Sequence, residues 1–128
     1  MLLAAVLILS GLATGCSSSK PAYCTAGSQL KTSVHNLGNV NVAKNGLDSL
    51  QTALSKVQTN ARTFANEAKS AFPSQTTALQ NSLTSLDTAI KSAQGQPPLT
   101  AATAVASAVT QVKTSASNLE NAISSKCQ

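Results

Sequence analysis

The sequence has no tryptophan, one tyrosine and two phenylalanines, and only 10% of its residues are charged. Each shortage closes off a class of function. Lys and Arg outnumber Asp and Glu by 9 to 4, yet Lys20, Lys31, Lys44, Lys56, Arg62, Lys69, Lys91, Lys113 and Lys126 are scattered singly along the chain. Nucleic-acid recognition wants basic residues gathered on one face and aromatics to stack on bases, so no nucleic-acid partner is expected. The four acids, Asp48, Glu67, Asp87 and Glu120, stand alone, which leaves no paired carboxylates for acid–base catalysis. His35 is the single histidine. With no second His or Cys at helical spacing it predicts no metal site. Beside Asn36, near the end of a helical pattern, it reads as a favourable partner of the helix dipole. No serine sits in a Gly-x-Ser-x-Gly setting and no glycine loop could cradle phosphate. The expectation is a non-catalytic chain with no cofactor and no metal.

What is present begins with an apolar run, Leu2 to Leu9, followed by Ser10-Gly11 and the small-residue stretch Leu12-Ala13-Thr14-Gly15-Cys16. That is the layout of a secretory leader and its cleavage region. A membrane-spanning helix takes around 20 apolar residues, more than this run holds. The stretch resembles the lipobox of bacterial lipoproteins, in which small residues precede a cysteine that becomes the lipidated N-terminus. Gly15 and Cys16 match that pattern. Ala13 departs from it, since leucine usually stands three residues before the cysteine and here lies one further back, at Leu12. No Lys or Arg precedes Lys20, so the basic start of the leader is expected upstream of Met1. The resemblance implies cleavage before Cys16, acylation of that cysteine and anchorage on the extracytoplasmic side of the cell membrane. Residues 1–15 are then the signal peptide and residues 16–22, with Ser17-Ser18-Ser19-Lys20-Pro21, a flexible tether. Residues 23–128 form the domain.

Three cysteines are present. Assigning Cys16 to lipid leaves Cys24 and Cys127 as an even pair, one at each end of the domain. In an oxidising compartment such a pair is expected to form a disulfide. The two are too far apart in sequence for a redox motif and too few for a metal site.

The rest of the chain alternates apolar steps of three and four residues. Leu47, Leu50, Leu54, Val57, Ala61, Phe64, Ala68 and Ala71 predict a helix from Gly46 to Ala71, closed by Pro73. Thr76, Leu79, Leu83, Leu86, Ile90 and Ala93 predict a second, with Pro73 in its opening turn and Gly95 at its far end. Ala102, Val105, Val109, Val112, Ala116, Leu119 and Ile123 predict a third. A weaker pattern, Leu30, Val34 and Leu37, predicts a short helix between Cys24 and Leu37, then an irregular link from Gly38 to Val42. Short connections force antiparallel neighbours. The fold class is all-α: an up-down antiparallel bundle of three long helices plus a short N-terminal one, with Cys24 and Cys127 at one end. Three-helix and four-helix arrangements are both compatible with these patterns.

Three functions suit this plan. The first is a membrane-anchored envelope lipoprotein acting as a binding or structural module, with an envelope protein or the cell wall as partner. Serines and threonines on the last helix, such as Thr100, Thr103, Thr110, Thr114 and Ser115, would offer glycan a hydroxyl face. The second is a carrier or sensor holding an apolar ligand inside the bundle, which calls for an enclosed apolar pocket of several hundred cubic ångström. The third is an inhibitor. Lipid, tether and small helical domain resemble in plan the anchored proteins that block phage superinfection or confer immunity to a secreted toxin.

Overall fold

A computed structural model describes residues 21–68 and 71–127. The leader, Cys16 and most of the expected tether lie outside the described residues. Every regular element among those described is an α-helix: α1 (Ala22–Gly38), α2 (Val42–Asn45), α3 (Leu47–Ala68), α4 (Pro73–Ala93) and α5 (Pro98–Ser124). The chain is an all-α bundle. Helix α1 packs on α3 and α5, and α4 packs on the same two. The four long helices thus form a ring in which each runs antiparallel to the next.

The boundaries follow local chemistry. Pro73 and Pro98 open α4 and α5 at positions where the missing N–H is no loss. Helix α2 is a single turn, started by Asn41, whose side chain accepts a hydrogen bond from the Lys44 N–H at 3.1 Å. Gly46 then takes φ 82°, ψ 172°, a conformation essentially reserved for glycine, and redirects the chain into α3. Gly95, also at φ 82°, stands just past the end of α4, as its position suggested.

Three details depart from the sequence reading. Helix α1 runs 17 residues, longer than the short helix expected, and Ala22, expected as the last tether residue, is its first. Its polar face disguised it: Ala26 and Ser33 are buried beside Leu30, Val34 and Leu37. The expected irregular link is interrupted by α2. On α5 the buried seam is Ala101, Val105, Ala108, Val112, Leu119 and Ile123, while Ala102, Val109 and Ala116 are only half-buried. Val112 and Leu119 are the most deeply buried of the seam, with Ala101 and Val105 close behind. Ser82 of α4 and Ser115 of α5 meet, with hydroxyl oxygens 2.7 Å apart.

The core is continuous and filled. Phe64, Val57, Leu86 and Val112 have no exposed surface, and among the described residues no buried side-chain nitrogen or oxygen lacks a hydrogen-bond partner. The chain's one tyrosine and two phenylalanines gather at a single end. Tyr23 meets Phe64 edge-on with centroids 6.3 Å apart, and meets Phe72 at 5.2 Å. Phe72, read from sequence only as the residue before a proline, is buried there, whereas Ala71 is exposed. Beside this cluster Cys24 and Cys127 are bonded Sγ to Sγ, with Cα atoms 5.8 Å apart. The disulfide fastens the first turn of α1 to the end of α5.

Candidate functional site

The groups that carry chemistry are dispersed or already paired. Glu120 of α5 holds Lys31 of α1 at 2.6 Å, and Asp87 holds Lys91 within α4 at 2.8 Å. Asp48 lies in the first turn of α3, where its charge suits the helix dipole. His35 is exposed in the last turn of α1, its Nε2 3.1 Å from Asn39 Nδ2, close to where its position in the pattern put it. Among the described residues no three His, Cys, Asp or Glu side chains converge on a point that could hold a metal ion. None of their helices is long and apolar enough to cross a membrane.

Four of the five hydroxyl residues expected on α5 are exposed, and the fifth, Ser115, is half-buried. Thr103 and Thr110 donate to their own helix, to the carbonyls of Leu99 and Ala106 at 3.1 and 3.0 Å. Ser115 turns toward Ser82. Spaced by three, seven and four residues, Thr100, Thr103, Thr110 and Thr114 lie along one side of the helix.

A second surface bearing hydroxyls lies between α1 and α3. An open groove of about 700 Å³ is lined by Gln29, Thr32, Ser33 and Asn36 from α1, and by Thr52, Ser55, Lys56, Thr59 and Asn60 from α3. The two helices run antiparallel, so Gln29 faces Asn60, whose Nδ2 donates to the Gln29 carbonyl at 3.3 Å and closes one end. Asn36 and Thr52 stand toward the other. At about 1.5 Å rise per residue the groove extends for roughly 10 to 12 Å. Thr32, Thr52, Ser55 and Thr59 each donate to the main-chain carbonyl one turn earlier, at 3.0 to 3.1 Å. With those protons engaged, the groove presents hydroxyl lone pairs and threonine methyls. The carboxamides of Gln29 and Asn36 and the Lys56 amine point to solvent as donors, and Lys56 is the one charged lining residue.

Two smaller hollows lie along α5. One, of about 430 Å³, is lined by Val40, Val42, Ala102 and Val109 beside Lys113. The next, of about 260 Å³, takes in His35, Asn39 and the Lys31–Glu120 pair. Leu99, 73% exposed, is the large apolar side chain most open to water among the described residues.

Sequence reasoning did not single out the α1–α3 groove. Its only trace was a run of hydroxyls on α3, Thr52, Ser55 and Thr59, at helical spacing beside the apolar seam; which helix flanks that run is decided by tertiary packing. Comparison with family models, with curated proteins and with solved structures finds no match to this chain.

Proposed function

We propose that this chain is an exported lipoprotein, acylated at Cys16, whose helical bundle stands on the extracytoplasmic face of the cell membrane as a non-catalytic binding module. The observation that carries the binding half is the open α1–α3 groove on an otherwise filled bundle. A carrier of apolar ligands calls for an enclosed pocket, and this hollow is open to solvent. The anchor half rests on the leader and on Gly15-Cys16. A disulfide between Cys24 and Cys127 suits an oxidising compartment outside the cytoplasm.

An anchor at Cys16 would orient the domain. Ser17 to Pro21, between Cys16 and α1, can reach about 18 Å when fully extended. The end bearing the disulfide and the aromatic cluster therefore stays near the bilayer. Helix α5, with 27 residues, reaches about 40 Å toward the opposite end. The groove runs along the side of the bundle between those ends, open to wall or envelope partners. A lipid-anchored cysteine with more than one acyl chain holds such a domain far better than a single chain would.

Intact-mass analysis of the protein extracted from membranes tests this reading. The expected mass is that of a chain beginning at Cys16 with acyl glyceride on it. An unmodified N-terminus, or cleavage elsewhere, overturns it.

A further inference from the structure

We infer that the end of the bundle nearest Cys16 docks on a surface of anionic phospholipid, through Lys20, Lys69 and Lys126. The inference rests on the anchor proposed above and adds the face that the domain turns to the membrane.

The chain passes through this end at the start of α1, at the turn from α3 to α4 and at the end of α5. A lysine stands at each place. Lys20 directly precedes Pro21, and Lys69 directly follows Ala68, the last residue of α3. Lys126 is exposed, two residues beyond Ser124, the last of α5. Glu67 is the one acidic residue within two positions of these helix ends. Toward the far end, Asp48 and Asp87 balance Lys44 and Lys91. An excess of positive charge therefore lies at the end that the tether ties to the bilayer.

Helix dipoles account for only part of this placement. A cation is favoured where a helix ends, and Lys69 and Lys126 follow the C-termini of α3 and α5. Lys20 precedes the N-terminus of α1, where the dipole opposes positive charge. A layer of phosphates gives all three the same partner. Helices α1 and α4 start at this end with no side-chain cap and no acid in the first turn, so neither adds negative charge there. The anchor also selects the partner. Ser17 to Pro21 spans at most about 18 Å, and attraction between charges reaches about 8 Å in physiological salt, so the tether delivers this end to the range in which headgroups act. Three lysines free in solution would hold a membrane weakly. Tethered beside it they dock in an intramolecular step, each shifting the docked population roughly fivefold.

The test places the acylated protein in phosphatidylcholine vesicles with or without phosphatidylglycerol, both containing lipid spin-labelled at the headgroup. Tyr23, held against Phe64 and Phe72, is the only tyrosine and the chain has no tryptophan, so its emission reports on this end alone. Strong quenching is expected with phosphatidylglycerol. It should fall several-fold without that lipid, or in about 1 M salt, where the screening length shrinks to about 3 Å. Lys20→Gln, Lys69→Gln and Lys126→Gln together should lower the ratio of docked to undocked protein roughly a hundredfold, and Lys126→Gln alone roughly fivefold. Removing the same charge elsewhere, with Lys44→Gln, Lys56→Gln and Lys113→Gln, should leave quenching unchanged. Quenching that does not depend on phosphatidylglycerol, or that the second set of substitutions lowers as much as the first, would overturn the proposal. Flotation of the protein with the vesicles reads the anchor separately, so docking can fail while the anchor stands.

Discussion

Removing the disulfide is the perturbation whose size follows most directly from the structure. Cys24 and Cys127 are 103 residues apart, so their bond closes nearly the whole domain into a loop. In the chain-entropy model a loop of that length is worth about 4.7 kcal/mol, by narrowing the unfolded ensemble. Unfolding entropy near 2.1 cal/mol/K per residue gives a domain of about 100 residues a slope of roughly 0.2 kcal/mol/K at its midpoint. The full stabilisation then corresponds to a fall in melting temperature of about 20 °C, and a fall of about 10 °C allows for the smaller gains that disulfides often deliver. The native contacts should survive, since α1 still buries Leu30, Val34 and Leu37, and Tyr23 still sits on Phe64 and Phe72. A Cys24→Ser, Cys127→Ser protein melted by circular dichroism should therefore keep its helical signal at room temperature and unfold well below wild type. Wild type in reducing buffer should follow the variant. Equal melting of the oxidised and reduced proteins would refute the reasoning, and a loss of helix before heating would mean that α1 is held by the bond and not by packing.

Two further substitutions probe the fold. Gly46→Ala puts a side chain at φ 82°, ψ 172°, where nothing crowds it but the backbone itself is strained; a loss of about 1 to 3 kcal/mol is expected in denaturant melts. No loss would mean that α2 and α3 join differently. Ser82→Ala should cost about 1 kcal/mol by leaving the Ser115 hydroxyl without its cross-helix acceptor, Ser115→Ala should cost less because Ser82 still donates to the Ala78 carbonyl, and the double variant should cost less than the sum of the two. Strict additivity in the double-mutant cycle would argue that the two hydroxyls do not interact.

Much of this architecture was legible because leucine carries it. On α3 and α4, Leu50, Leu54, Leu79, Leu83 and Leu86 mark the buried stripe unambiguously, and Pro73 and Gly95 punctuate the ends. Legibility fell where alanine and serine do the packing. On α5 hydrophobicity does not decide between Ala101 and Ala102, which carry the same side chain, nor does it favour Ala108 over Val109, yet Ala101 and Ala108 are the buried ones. Helix α1 looked short for the same reason, with Ala26 and Ser33 buried in place of larger residues. The cysteine pairing was readable because removing Cys16 left two residues and one way to join them. The groove was not, because Gln29 and Asn60 are 31 residues apart and only the packing of α1 on α3 brings them face to face. Hydroxyls on a poorly charged surface look alike until a neighbouring helix turns some of them into a wall.

The account depends most on Cys16 as the point of attachment. Detergent-phase partitioning of cells producing the wild-type and Cys16→Ser proteins tests it directly. Wild type should enter the detergent phase with the membranes, and the serine variant should appear in the aqueous phase with the same helical signal. Identical partitioning of the two would contradict the lipid anchor and the orientation built on it.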